Sequence, residues 1–249
     1  GYRSRYSHEQ EWASPGYYGV DLLDYGVKAE MTSGIRSGIL QFTYPESDSS
    51  FILLDMNHTL WQSCPWSNLR VENDSTLVGY KLVKGWGPER HVYFTAVFSK
   101  PFRDFGIMQD TIPVKYNTNR FRSSLEAWGK DLRFWMRFPT RQGEMVTVKT
   151  AVSAVSSDGA KLNMQELEGK TFASLKAEGE KLWEGQLSKF KIEATPEQRE
   201  TFYTSVYHAF LHPFIFQDAD GKFRELDKNI GQAEGFTNYT VFSLWDTYR

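Results

Sequence analysis

The pattern of apolar residues changes once along this chain of 249 residues. Between Tyr17 and about Ser156, short stretches alternate apolar and polar residues with a period of two, and turn residues separate them. A strand points successive side chains to opposite faces of a sheet, so this alternation predicts an antiparallel sheet protein. Beyond Asp158-Gly159 the apolar residues recur every three or four positions, which predicts helices. Because strands and helices do not alternate, the pattern excludes a parallel α/β fold.

The first part of the chain has the rhythm of a β-sandwich. Turn residues such as Gly85, Gly129 and Gly143 stand between the alternating segments, as tight connections between strands require. We therefore predict a mainly β protein with some α structure, whose antiparallel β-sandwich domain spans residues 1–157. The predicted strands are 20–22, 27–31, 39–44, 51–54, 76–83, 91–98, 132–138 and 145–149.

A helical linker is predicted over residues 158–194. Its apolar residues recur at helical spacing from Phe172 through Leu175, Leu182 and Trp183, which places them on one face of a helix.

A helical domain is predicted to begin at residue 195 and to continue to residue 249. Thr195-Pro196-Glu197-Gln198 combines a hydroxyl cap, a proline in the first turn and a glutamine three residues after the cap, which together favour a helix start. Pro213 is predicted to end this helix, because proline has no N–H to donate and disfavours helix at the residue before it. A third helix is predicted from Ser243, so we expect the chain to be a portion of a longer protein.

Charge and composition exclude several classes of protein. A formal net charge of −2 and a pI near 6.3 give no general attraction for nucleic acid or anionic lipid. The longest apolar runs, such as 51–54, fall far below the roughly 20 residues that a membrane-spanning helix needs. The first ten residues are polar and contain no signal peptide. Cys64 is the single cysteine and is interpreted as a small buried hydrophobe.

Three short motifs resemble metal or acid–base sites. Asp218-Ala219-Asp220-Gly221 has the opening of a calcium loop, but Asp227 stands where the loop needs glutamate, so we interpret it as a hairpin turn. His8-Glu9 with Glu11 is interpreted as solvated polar residues, because no second histidine follows at helical spacing. His208 and His212, four residues apart on one predicted helical face, are interpreted as structural histidines.

The last residues of the chain carry the main functional candidates. Trp245, Asp246 and Arg249 combine an aromatic ring, a carboxylate and a guanidinium. An apolar ring stacks on the C–H face of a sugar while an ionised acceptor takes hydroxyl protons, so this mixture suits a carbohydrate pocket. The alternative is a structural Asp–Arg pair on one helical turn. We predict that these three residues bind substrate.

The same segment resembles a known family signature. Residues 242–249 resemble the signature of glycoside hydrolase family 92, the calcium-dependent, exo-acting α-mannosidases. Residues 202–208 resemble the first barrel helix of that family, and residues 6–9, 13–18 and 29–32 resemble its N-terminal sandwich domain. These blocks occur in the order of the family and are spread over the chain. The matching positions after the first barrel helix are Pro213, Asp218, Asp220 and Gly221.

The resemblance implies a sandwich, a helical linker and an (α/α)6 barrel, with the active site where sandwich and barrel meet. It implies an enzyme that hydrolyses terminal mannose from a mannose-containing glycan, and the expected linkage is α-1,2. The reaction is expected to proceed with inversion and Ca²⁺ assistance. The expected location is the bacterial periplasm or outside the cell. The catalytic acid, the bases and the calcium ligands would lie beyond Arg249. We therefore name no catalytic and no metal-binding residue in this chain.

Two other functions stay open from the sequence. A non-catalytic carbohydrate-binding sandwich would explain the aromatic content of 16%, but it would not need the helical segments. A different sandwich-plus-barrel enzyme, such as a glycoside phosphorylase, would need clustered basic residues for phosphate, and this chain shows no such cluster.

Overall fold

The protein is described by a computed structural model over residues 2–85, 87, 89–109, 112–113 and 126–240. Strands dominate the first part and helices follow, as predicted. The strands are β1 Glu11–Ser14, β2 Tyr17–Leu22, β3 Val27–Ser33, β4 Ser37–Tyr44, β5 Ser47–Asp55, β6 Ser63–Val71, β7 Thr76–Lys84, β8 Arg90–Phe98, β9 Asp104–Gln109, β10 Ile112–Pro113, β11 Glu126–Gly129, β12 Leu132–Thr140, β13 Glu144–Ser153, β14 Lys222–Arg224 and β15 Ile230–Gln232. The helices are α1 Ser157–Met164, α2 Phe172–Leu187 and α3 Pro196–Phe210.

Two antiparallel sheets form the sandwich. The larger has the strand order β1-β2-β3-β4-β13-β8-β7-β6-β11 and the smaller has the order β10-β9-β12-β5. Strand β12 shows how the sequence builds the core: alternate residues such as Leu132, Phe134 and Met136 are fully buried, while those between them are more exposed. They pack against inward residues of the larger sheet, including Leu69 and Val146. Side chains from the two inner faces thus make one hydrophobic core.

All eight predicted strands are confirmed, and the remaining sandwich strands were missed. Strand β6 is one of the missed strands, and its apolar and polar residues do not alternate regularly. Pro65 falls where the pairing of β6 with β7 shifts register between Ser63 and Trp66, so a bulge accommodates the missing N–H. The next residues, Ser67 and Asn68, are polar but buried, since their side chains bond to the backbone of β11. Sequence alternation cannot reveal polar residues that are satisfied by a distant strand.

The helix start at Thr195 is confirmed. The Thr195 hydroxyl accepts a hydrogen bond from the Gln198 N–H, and the Gln198 side chain accepts one from the Thr195 N–H. A similar reciprocal cap at Thr171 and Ser174 starts α2. The predicted helix is present as α2, in which Leu175 and Gly179 are buried, whereas Leu182 is 61% exposed.

Helix α3 packs against the end of the linker. The Tyr203 hydroxyl donates to the Phe190 carbonyl over 2.7 Å, and the rings of Trp183 and Tyr207 lie 4.7 Å apart between centroids. Within the described ranges, no helix combines the length and the apolar character that a membrane crossing needs.

Candidate functional site

The predicted substrate-binding residues Trp245, Asp246 and Arg249 lie outside the described residues, as does the predicted third helix. The chain is described as far as Thr240, and backbone hydrogen bonds hold its last described residues. The Thr240 N–H donates to the Phe214 carbonyl over 2.9 Å, and the Phe216 N–H donates to the Asn238 carbonyl over 2.9 Å. The last described residues, 238–240, therefore pair with 214–217 in the manner of two strands.

The segment 213–224 is joined to the sandwich and to α1 by polar contacts. Arg36, in the turn between β3 and β4, donates through Nε to the Gln217 carbonyl over 2.6 Å and pairs through Nη1 with Glu166 over 2.6 Å. Arg224, in β14, donates through Nε to the Ala154 carbonyl over 2.8 Å. Arg36 thus reaches from the sandwich to the backbone after α3, and Arg224 reaches from β14 back to the backbone just after β13. They hold the start of the helical domain against the sandwich.

Asp218 lies between these two arginine anchors and is only 4% exposed. Its Oδ2 accepts a hydrogen bond of 2.6 Å from the Ser153 hydroxyl, at the end of β13. Its Oδ1 accepts one of 2.8 Å from Nδ2 of Asn163, a fully buried residue of α1. Asp218 was predicted only as part of a turn, and the sequence carries no signal for its burial.

These contacts engage the carboxylates that a calcium loop at 218–221 would use as ligands. Both Asp218 oxygens are occupied, and the Asp220 carboxylate pairs with Lys222 over 2.7 Å. A tight turn is present, with the Gly221 N–H donating to the Asp218 carbonyl and Gly221 at φ +84°. The Asp218 N–H donates to the Lys222 carbonyl over 2.8 Å, so the chain reverses at 218–222 as predicted and leads into β14. The loop of the β14–β15 hairpin, 225–229, is a separate turn. In the part of the chain that the structure describes, no cluster of three His, Cys, Asp or Glu residues fits a metal ion.

His208 and His212 do not share a helical face. Helix α3 ends at Phe210, so His212 lies beyond it, where its ring packs 5.3 Å from the ring of Phe214. The predicted common face is wrong because Pro213 disfavours helix at the residue before it.

A carboxylate and aromatic cluster lies at the β1 edge of the larger sheet. His8 Nδ1 lies 2.6 Å from Glu11 Oε2, and the Tyr18 hydroxyl donates to the other oxygen, Oε1, over 2.5 Å. The hydrogen bonds from Tyr18 and His8 lower the pKa of Glu11, and the bond to Glu11 raises the pKa of Tyr18 to about 12. The structure thus brings His8 and Glu11 together, while Glu9 is exposed in the short turn between them.

The opposite face of the same strands holds a second carboxylate. The Glu30 carboxylate accepts a 2.8 Å hydrogen bond from the Tyr17 hydroxyl and lies 3.1 Å from Lys28 Nζ. Burial opposes ionisation of Glu30, but the hydrogen bonds from Tyr17, Lys28 and Gln41 outweigh it, and the pKa of Glu30 is lowered. An acid catalyst needs a raised pKa. Glu30 and Glu11 are therefore hydrogen-bond acceptors rather than proton donors.

A polar cleft of about 630 Å³ opens where β5 ends and where β6 and β12 begin. Asp55 in its wall accepts hydrogen bonds from the Tyr2 hydroxyl, the Asn57 N–H and Arg133. Burial raises the pKa of Asp55, yet these hydrogen bonds outweigh it and the net shift is downward. Cys64 also lines the cleft and is buried, as predicted. The sequence did not indicate this cleft, because its wall is assembled from segments far apart in the chain.

Two family models match the chain along almost its whole length. The N-terminal domain of glycosyl hydrolase family 92 matches residues 1–153, and the catalytic domain of the same family matches residues 159–249. The chain belongs to glycoside hydrolase family 92. The first match ends with the last sandwich strand, at Ser153, and the second begins inside α1. The contacts of Ser153 with Asp218 and of Arg36 with Gln217 thus connect the parts of the chain that match the N-terminal and catalytic domains.

Solved structures give the same result. The chain is 70% identical to the family GH92 α-mannosidase BT3965 from Bacteroides thetaiotaomicron, with a TM-score of 0.96 over 100% of this chain and 34% of that one. A second structure of BT3965, in complex with mannoimidazole, matches equally well and is covered to 33%. The chain therefore spans about a third of the length of these relatives. A search among curated proteins gave no match.

More distant structures show the fold alone. The family GH92 inverting mannosidase BT2199 from Bacteroides thetaiotaomicron VPI-5482 is 22% identical, with a TM-score of 0.82 over 99% of this chain and 32% of that one. A putative kojibiose phosphorylase from the human microbiome is 9% identical, with a TM-score of 0.53 over 83% of this chain and 27% of that one. The sandwich followed by helices is thus shared beyond family 92.

Proposed function

We propose that this chain is the N-terminal portion of an exo-acting α-mannosidase that hydrolyses terminal mannose, with α-1,2 linkage, from glycans. The observation that carries this proposal is the 70% identity over 100% of the chain to the α-mannosidase BT3965. The domain division proposed with it is 1–157 for the sandwich, 158–194 for the linker and 195–249 for the start of the (α/α)6 barrel.

The substrate-binding role of Trp245, Asp246 and Arg249 is part of the proposal. Asp246 accepts hydrogen bonds from hydroxyls on the non-reacting side of the terminal mannose, which favours exo action. Trp245 forms an apolar wall against the sugar ring, and Arg249 keeps Asp246 ionised and oriented. Support comes from the catalytic-domain match to residues 159–249 and from the mannoimidazole complex of BT3965, which shows that this relative binds a mannose-like ring.

Inversion and calcium are proposed from the family resemblance. An inverting glycosidase places a carboxylic acid and a carboxylate base about 6.5 to 9.5 Å apart, with room for water between them. The pKa values of the described carboxylates Glu11, Glu30 and Asp55 are lowered, so none of the three suits the role of the acid. The residues that the structure describes do not fit a calcium ion either, because Asp218 and Asp220 are engaged within the protein. We propose that the calcium ligands and the catalytic carboxyls lie C-terminal to Arg249.

A phosphorylase is the second candidate, because the kojibiose phosphorylase shares the fold. The two reactions differ in the acceptor, which is water in a hydrolase and phosphate in a phosphorylase. A non-catalytic binding sandwich is disfavoured by the match of residues 159–249 to a catalytic domain. A periplasmic or extracellular bacterial location is proposed from the family resemblance.

The test follows sugar release from α-1,2-mannobiose by NMR, with the full-length protein in the presence of calcium and then of a chelator. The proposal predicts that β-mannose appears first and that the chelator stops its release. Release of α-mannose first would contradict inversion, and activity that persists in chelator would contradict the role of calcium. Formation of mannose 1-phosphate that depends on added phosphate would favour the phosphorylase.

A further inference from the structure

The loop between β5 and β6, residues 56–62, presents a tryptophan to solvent in a strained backbone conformation. Trp61 is 100% exposed, and its φ of +64° lies in the left-handed region, which a bulky side chain adopts only at a cost in free energy. Burial does not offset this cost, because the ring packs against nothing in the described structure. A ligand stacked on the indole would offset it, and strained residues of this kind concentrate at binding and active sites.

Hydrogen bonds hold the loop on both sides of this tryptophan. Lys81 Nζ, from β7, donates to the His58 carbonyl over 2.5 Å. The Thr59 hydroxyl donates to the Gln62 carbonyl, which closes the turn around Trp61. The backbone that carries the indole is therefore fixed before any ligand arrives, and a preorganised site loses less conformational entropy on binding.

The same loop forms one wall of the polar cleft, whose volume is about 630 Å³. Ligand sites in proteins commonly measure roughly 300 to 1,000 Å³ and combine apolar surfaces with a few polar groups. Thr59 and Gln62, on either side of the exposed indole, line this cleft. The side chains of His58, Lys130 and Asp131 also line it and make no hydrogen bond or ion pair with another described residue. Their polar atoms are thus available to a ligand.

The chemistry of the cleft suits a neutral saccharide. Lys130 and Asp131 carry opposite charges, and the Asp55 carboxylate is balanced by Arg133 at 3.3 Å, so the wall has no excess charge that would select an ion. A sugar ring offers an apolar C–H face to an indole, and hydroxyls at its edge that both donate and accept. Asp131 can accept from such a hydroxyl, and Lys130 can donate to one.

We propose that this cleft is a carbohydrate-binding site, in which a neutral saccharide stacks on Trp61 and forms hydrogen bonds with Lys130 and Asp131. The inference goes beyond the proposed hydrolysis, because binding here requires no reaction. Only the choice of an α-mannan as the ligand rests on the proposed function. A long glycan held at this cleft would have a raised effective concentration at the site of hydrolysis.

Affinity electrophoresis of the full-length protein in gels that contain soluble α-mannan measures this binding. Mannoimidazole, which binds the relative BT3965, is added at saturation so that mannan bound at the site of hydrolysis is displaced. Trp61→Ala is expected to raise the Kd for mannan by about tenfold or more. Leu60→Ala is the matched control, because Leu60 is 75% exposed in the same loop but has no ring face, and its Kd should equal that of the wild type.

Asp131→Asn tests the polar side of the cleft. Asparagine keeps the size of the side chain and tolerates the φ of +57° at this position, but it lacks the ionised acceptor. The Kd for mannan is expected to rise by about fivefold, since a hydrogen bond to a neutral group is weaker than one to a charged group.

Trp61→Gly separates a binding role from a structural role. Glycine adopts a φ of +64° without strain, so this variant should keep the Tm at or above the wild-type value while it loses mannan binding as Trp61→Ala does. A lower Tm together with an unchanged Kd would show that the tryptophan serves the fold, and would overturn the proposal.

Three results of the electrophoresis would also overturn the proposal: an equal Kd in the wild type and Trp61→Ala, an equal loss in Leu60→Ala, or no retardation of the wild type by mannan. The proposed hydrolysis is tested separately on the same samples. Retardation by mannan without release of mannose from α-1,2-mannobiose would reject the hydrolysis and leave the binding site standing.

Discussion

Replacing Gly159 by alanine is expected to destabilise the junction between the sandwich and the helical domain, against the usual trend for helices. Gly159 lies in the first turn of α1 and has no unusual backbone angle. In a helix interior, alanine is favoured over glycine by about 1 kcal/mol. The change would therefore stabilise α1 if the space beside it were open.

The space is occupied by the Asp218 carboxylate and the Ser153 hydroxyl. An added Cβ would lie 2.7 Å from Ser153 Oγ and 3.1 Å from Asp218 Cγ. The atom nearest to that Cβ is Asp218 Oδ2, which accepts the hydrogen bond from Ser153 Oγ, so both the donor and the acceptor must move and the bond between them is disrupted. A hydrogen bond to a charged group contributes about 1.5 to 3 kcal/mol. After the gain in helix propensity, the net loss is about 0.5 to 2 kcal/mol.

Hydrogen exchange with mass spectrometry measures this loss locally, through peptides that cover 153–167 and 214–222 in the full-length protein. Gly159→Ala should lower the protection of both regions. Gly185→Ala, in α2, is the matched control, because an added Cβ there meets nothing within 4 Å, and protection of α2 should rise. If Gly159→Ala raised protection around α1 as Gly185→Ala does around α2, the steric argument would be refuted.

Three further changes test other parts of the structure. Tyr17→Phe removes the strongest hydrogen bond to Glu30, so the pKa of Glu30 should rise. The lowered pKa of Glu30 contributes stability above about pH 4.5, and this stability is lost as the pH falls. The Tm of Tyr17→Phe should therefore drop less between about pH 5 and pH 3 than the Tm of the wild type. The control Tyr25→Phe should show the same drop as the wild type. Thr195→Ala removes the cap of α3 and should cost about 1 kcal/mol, seen as faster exchange in the first turn of that helix. Asp246→Ala should cost about 2 to 4 kcal/mol of transition-state stabilisation, which lowers kcat/KM by about 30-fold to 1,000-fold.

The outcomes that would contradict these expectations are specific. An identical pH profile for Tyr17→Phe and the wild type would show that Glu30 does not contribute through that hydrogen bond. Unchanged exchange in Thr195→Ala would mean that packing alone fixes the start of α3. An unchanged kcat/KM in Asp246→Ala would remove Asp246 from the substrate site.

The sequence predicted the elements that depend on nearby residues. The alternation in 132–138 follows from one buried and one open sheet face, and the cap at Thr195 needs only Gln198, three residues away. The sequence did not predict β6, because Pro65 interrupts it and its buried polar residues bond to β11. It also placed His212 on a helix that ends at Phe210.

The features of the candidate region can also be separated into those that the sequence predicted and those that only the structure shows. The sequence by itself indicated the family and the order of sandwich and helices, because each short motif and each strand or helix is encoded by residues close together in the chain. The sugar-binding role of Trp245 and Asp246 stays a prediction. Only the tertiary structure decided that Asp218 is buried against Asn163, 55 residues away, and that Arg36 reaches the Gln217 carbonyl across 181 residues. Such contacts arise when separate sheets and helices pack together, and no local period or cap in the sequence records them.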